Sequence, residues 1–131
     1  MKVSGKTIHV QASNHEIYDK LCNLSSFEKF LPDQVKDWEA GEDYCQFAIP
    51  GVATMRLTIA EKSESKIVYT ASNDKNIPVS IAIFMEGKDD GTDLHADIDA
   101  EIPIFLNALV HKPMQNLVDV IADRIKGEVE H

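Results

Sequence analysis

The sequence is short of positive charge, of cysteine and of long apolar runs, and each shortage removes a class of function. Against 22 acidic side chains stand 13 basic ones, a formal charge of −9 over 131 residues. Nucleic acid and anionic membrane surfaces are gripped by clustered cations, so neither is expected as a general partner. No apolar stretch approaches the ~20 residues that cross a bilayer, so membrane insertion is not expected. Residues 1–6 lack the apolar stretch of a secretion signal, and the expected location is the cytoplasm. Cys22 and Cys45 form no CxxC pair and are too few for a disulfide framework. Both read as buried free thiols, and neither has a histidine at local spacing that would activate it as a nucleophile. Phosphate loops, HExxH and GxSxG motifs are missing. So are internal repeats, low-complexity stretches and linkers, and the length suits one domain, 1–131, with one core.

What is present is period-two alternation framed by helices. Residues 2–11 predict a first strand, with Ile8 and Val10 on one face and Thr7 and His9 on the other. Ser13-Asn14-His15-Glu16 is a capping box, followed by the apolar helical face Ile17, Tyr18, Leu21 and Leu24. Ser25-Ser26-Phe27-Glu28 reads as a second box, opening a short helix that Pro32 ends. Strands are then expected over 35–40, 44–49, 52–61, 67–72, 78–88 and 94–102, with a type II turn at Pro50-Gly51. In the last strand Leu94, Ala96, Ile98, Ala100 and Ile102 alternate with His95, Asp97, Asp99 and Glu101, giving one dry and one wet face. A long amphipathic helix is predicted over 104–126, with Pro103 in its first turn, a bend near Leu109 caused by Pro113, and Gly127 as terminator. Hairpin connections and helices on one face make this an α+β two-layer arrangement.

That element order resembles the START-like superfamily, also called SRPBCC or helix-grip, which includes polyketide cyclases and lipid-transfer domains. The resemblance is carried by Ser13-Asn14-His15-Glu16-Ile17-Tyr18, by Phe27-Glu28-Lys29-Phe30-Leu31-Pro32 and by Lys112-Pro113-Met114-Gln115-Asn116-Leu117. It spans nearly the whole chain and looks like a small bacterial branch. It implies a curved antiparallel sheet of about seven strands wrapped around a long C-terminal helix, with two short helices after strand one. It also implies a hydrophobic small molecule, such as a lipid, held between sheet and helix. None of the superfamily's catalytic signatures occurs here, so no catalytic residue is carried over and no cofactor is expected. A non-enzymatic role leads; a cyclase-like enzyme is the alternative.

Alternation places Met55, Leu57, Ile59, Ile81, Ile83, Met85, Ile98 and Ala100 on the concave face. Phe105, Leu109 and Met114 are expected opposite them on the helix. Such a set lines either a flexible apolar pocket or an ordinary filled core. Asn107 and His111, one helical turn apart at the edge of the apolar stripe, are candidate polar anchors, with His111 a candidate acid or base. His9, His95, Asp97 and Asp99 share the outer face if the first and last strands pair. Read as a solvated acidic face, they are assigned no metal. Tyr69 is a strand residue able to reach a pocket, whereas Arg56 is expected to face water. Phe84 falls on the outer face, where the third reading, an interaction module with a solid core, would place a homodimer contact.

Overall fold

Strands β3 to β8 pair in chain order into one antiparallel sheet, and the first two strands return to the last; the computed structural model describes residues 1–130. The strands are β1 (Lys2–Ser4), β2 (Ile8–Val10), β3 (Lys36–Ala40), β4 (Cys45–Ile49), β5 (Ala53–Lys62), β6 (Lys66–Asn73), β7 (Val79–Lys88) and β8 (Gly91–Ala100). Their order across the sheet is β1-β8-β7-β6-β5-β4-β3, with β2 also on β8. Helix α1 (Asn14–Leu21) and a 3-10 helix (Leu24–Phe30) precede β3, and α2 (Ile104–Val129) follows β8. A curved sheet closing on one long helix is the helix-grip arrangement.

The expected first strand is divided in two, and the registers show why. Val3 stands opposite Ile98, whereas Ile8 stands opposite Leu94. Five residues on one side therefore match four on the other, so one extra residue is accommodated around residues 5–7. A one-residue insertion reverses which side chains face inward. Val3 and Val10, of opposite parity, are both buried as a result. At the far end of β8, Gly91 has φ 156°, and a Cβ there would run into the Val10 carbonyl oxygen. Glycine is what lets β2 come this close to the β7–β8 turn.

Helix α1 begins as the sequence indicates, the Ser13 hydroxyl accepting from the Glu16 amide at 3.2 Å. The second capping box does not form. Leu24 already lies in the helix, and the hydroxyls of Ser25 and Ser26 donate back to Asn23 instead of capping forward. Gly127 does not terminate α2 either. The helix runs on to Val129, which is buried, while Glu130 accepts from the Gln11 amide and from the Lys126 ammonium at 2.6 and 2.8 Å. These tertiary contacts outweigh a helix-propensity penalty of ~1 kcal/mol. Pro103 is the N-cap residue of α2 rather than part of its first turn.

The core lies between the concave sheet face and the C-terminal half of α2. Met114, Leu117, Val118, Ile121, Ala122, Ile125 and Val129 are buried there. Each large side chain so buried stabilises the fold by roughly 1.5–3 kcal/mol. Beneath α1 the interior is filled by aromatic rings. Phe27 meets Phe30 and Tyr69 edge-on, with centroids 5.5 and 5.3 Å apart. Tyr69 is fully buried and donates its hydroxyl to the Leu21 carbonyl at 2.8 Å. Burial also pushes the Cys45 thiol up to about 12, so it stays protonated as a core side chain.

Two predictions follow from the β2–β8 contact. Gly91→Ala should destabilise the protein by at least about 2 kcal/mol, read from urea denaturation, because both backbone conformation and space oppose a Cβ. His9 Nδ1 lies 2.8 Å from Asp93, and Asp90 stands 3.1 Å from Nε2, close enough to pair as charges but not aligned to bond. The hydrogen bond to Asp93 and the charge of Asp90 hold the His9 pKa above its ordinary value, against desolvation and Lys126. A raised folded pKa makes this pairing fully stabilising below the ordinary histidine range and lost as pH climbs through the raised value. NMR titration should place the His9 midpoint higher in wild type than in Asp93→Asn, and the stability gap between them should shrink as pH rises above that midpoint.

Candidate functional site

Helix α2 has two halves that behave differently, and Pro113 marks the boundary. Proline has no amide to give the Leu109 carbonyl, so the helical ladder loses a rung there. Beyond it the helix is tied down from several sides. Gln115 donates to the Ser4 carbonyl, the Lys6 amide and ammonium donate to Asp119 and Asp123, and Lys126 donates to the His9 carbonyl, at 2.8 to 3.0 Å. Arg124 reaches Asp33 at 2.8 Å. Before Pro113, and among the described residues, no side chain of 104–113 makes a hydrogen bond to another element. Ile104, Phe105 and Leu109 are 87%, 79% and 71% exposed. The inward placement expected of Phe105 and Leu109 is therefore corrected. The side of the helix carrying these two residues meets solvent, while Leu106 and Val110 on its other side are partly buried, Val110 against the core.

Two partly enclosed hollows flank this half of the helix. One, of about 600 Å³, lies between the helix from Ala108 to Leu117 and the segment Pro32, Gln34 and Val35 after the 3-10 helix, with Ile49 and Pro50 as floor. The other, of about 480 Å³, lies under Leu106, Val110 and Met114, and is walled by Val52 and Met55, by Ile77 and Val79, and by Ala100 and Ile102. Leu109 borders both. Each volume is in the range of small-molecule sites, ~300–1,000 Å³. The β4–β5 turn separates them. Val52 donates to the Ile49 carbonyl at 3.0 Å and Gly51 has φ 79°, the type II turn read from Pro50-Gly51.

Of the lining read from alternation, Met55, Ala100, Leu109 and Met114 border a hollow. Leu57, Ile81, Ile83, Met85 and Ile98 are buried in the solid core, and Ile59 is partly buried against it. Alternation reports which face a residue is on, not whether the space above it is filled. Val52, Ile77 and Val79 were missed as lining because they sit at turns and strand ends, where periodicity carries little signal.

The two anchor candidates part company. His111 is exposed. Asn107 is partly buried, and its Oδ1 is shut off from solvent without a hydrogen-bond partner. It lies two helical turns from buried Met114, on the same side of the helix. It lines neither hollow itself; its neighbours Leu106 and Ala108 line one each. A buried carboxamide oxygen left unpaired costs about 1–3 kcal/mol, so it is a place where a donor would be welcome.

The outer face carries a smaller hollow, of about 210 Å³, bordered by Lys2, Lys66, Phe84, Asp97 and Asp99; Asp97, expected on a solvated face, is buried there with its Oδ1 lacking a hydrogen-bond partner. Arg56 is exposed and covers the Tyr44 ring at 4.3 Å. Phe84 is partly buried and stacks on His95, centroids 4.9 Å apart. His9 engages Asp93 and Asp90, whereas His95 lies 3.7 Å from Asp97. Among the described residues no three histidine, cysteine or acidic side chains gather to hold a metal ion, and no helix is long and apolar enough to cross a membrane.

No protein-family model matches the chain, and no curated protein matches it. Solved structures do. The KanY protein, solved by NMR, is 9% identical with a TM-score of 0.78, over 100% of this chain and 98% of that one. A START superfamily protein from Mycobacterium smegmatis is 16% identical with a TM-score of 0.67, covering 98% of this chain and 97% of that one. The Aha1 dimer from Colwellia psychrerythraea gives 14%, 0.65, 99% and 96%. At such identities the likeness is one of fold: the chain has the START-like, helix-grip fold.

The unpaired Asn107 oxygen makes a stability prediction. Asn107→Leu, which removes the polar group and keeps the volume, should stabilise the ligand-free protein by about 1 kcal/mol, measured from the urea midpoint.

Proposed function

We propose that the protein binds a small hydrophobic molecule in the hollows beside the first half of α2. The observation that carries this reading is the mismatch within one helix. Its second half is packed against a filled core, while its first half leaves Ile104, Phe105 and Leu109 exposed and borders two apolar hollows. A helix evolved only to close a core would bury both halves. A ligand seated there would recover the missing apolar contact. His111, exposed, has no part in this site.

The cyclase-like alternative needs an acid or base inside the cavity. Tyr69 is buried and committed to the Leu21 carbonyl, and burial drives its pKa well above the ordinary range. Among the described residues no histidine, aspartate, glutamate or cysteine lines either hollow, and the ionisable side chains there, Lys112 and Lys75, are exposed. The outer-face homodimer reading has less to support it, because Phe84 is already stacked on His95.

Native mass spectrometry of protein purified from its own host should show a stoichiometric added mass that organic extraction releases as an apolar molecule. Leu106→Trp, which fills the smaller hollow, should lose that mass while keeping its circular dichroism spectrum. A wild-type protein that runs repeatedly at its bare mass, and binds no dodecanol in titration, would overturn the proposal.

A further inference from the structure

The charges around the two hollows are arranged against the character of the chain. The protein is strongly acidic, yet the ionisable side chains that line the hollows are both cations: Lys112 in the larger and Lys75 in the smaller. Neither lysine forms an ion pair among the described residues. Acidic side chains stand next to both linings in sequence, but they are engaged elsewhere. Asp33 accepts from Arg124 at 2.8 Å, and Asp74 accepts from the Thr54 amide at 3.1 Å. The remaining polar side chains of the linings, Gln34, Asn73 and Asn116, are neutral, and Asn73 spends its amide nitrogen on the carbonyls of Ala71 and Ile77.

An apolar hollow with one unpaired ammonium at its rim is complementary to a molecule with an apolar body and a negative head. Both lysines are exposed, so the attraction is that of a solvent-accessible ion pair, and the local lysine offsets the repulsion that a −9 protein exerts on an anion. An amphipathic cation would meet the opposite balance and leave the lysine unpaired and crowded by a like charge. An uncharged alcohol would gain the apolar contact alone.

Resting on the ligand-binding reading above, we propose that the ligand is an anionic amphiphile, a single alkyl chain ending in a carboxylate. Its chain lies in a hollow against α2 and its carboxylate meets Lys75 or Lys112. The molecule is taken as a free monomer; the net charge of the protein opposes docking on an anionic bilayer.

Isothermal titration with dodecanoate, dodecanol and dodecyltrimethylammonium, each below its micelle concentration, tests this. Dodecanoate should bind up to about fivefold more tightly than dodecanol, the upper range for one solvent-accessible ion pair, with the cation weakest. The advantage should fall as salt is raised. In Lys75→Met/Lys112→Met it should vanish while dodecanol affinity is kept. In Lys20→Met/Lys62→Met, which alters net charge equally at a partly buried and an exposed lysine that line neither hollow, it should persist. Dodecanol binding as tightly as dodecanoate, or equal losses in the two double variants, would overturn the anionic assignment while leaving the binding function intact. Failure of all three probes to bind would remove both. Preference for phosphatidylglycerol vesicles over monomeric dodecanoate would count against a free monomer.

Discussion

The second half of α2 is the keel of this structure. Seven of its side chains are buried against the concave face of the sheet, and its polar flank takes hydrogen bonds from the backbone or side chains of Lys6 and Gln11 and gives them to Ser4 and His9. Strands β1 and β2, three residues each, are too short to hold an edge by ladder bonds alone. They are held because helix and β8 grip them from two directions. The helix thus fixes the sheet edge that in turn shapes the face the helix covers.

The site is a by-product of where that grip ends. Pro113 interrupts the helical ladder at the point where burial gives way to exposure, and the turns of the sheet reach under the free half without filling the gap. Around α1 the opposite choice is made: Phe27, Phe30 and Tyr69 occupy the interior, and the Tyr69 hydroxyl is satisfied by Leu21. One end of the cleft is solid and the other hollow, and the chemistry follows that division.

Much of the fold was legible in the residues. The alternation of Leu94 to Ala100, the Pro50-Gly51 turn, the Ser13 cap and the helix from Ile104 all report local physics that the tertiary structure preserves. Failures came where long-range contacts override local preference. Gly127 is carried inside a helix by the docking of Val129 and Glu130, and Ser25 and Ser26 turn back to Asn23. The division of the first strand is a one-residue register event that periodicity over so few residues does not resolve. For the site, the stripe containing Leu106, Val110 and Met114 was visible, and Asn107 stood at its edge. That Phe105 and Leu109 would face outward was not visible, since a helical pattern cannot say how far along its length a helix stays in contact.

The walls of the hollows come largely from turns and strand ends: residues 32–35, the Pro50-Gly51 corner and residues 73–77. Few of these side chains belong to the solid core, and that has an evolutionary consequence. Substitutions or insertions at these three corners can reshape the cavity mouth without disturbing the packing that keeps the chain folded. Changes in the shape of the hollows and changes in stability therefore fall on nearly separate sets of positions. A scaffold divided in this way tolerates wide change in sequence while keeping its shape, and the same fold is seen in structures only 9–16% identical to it.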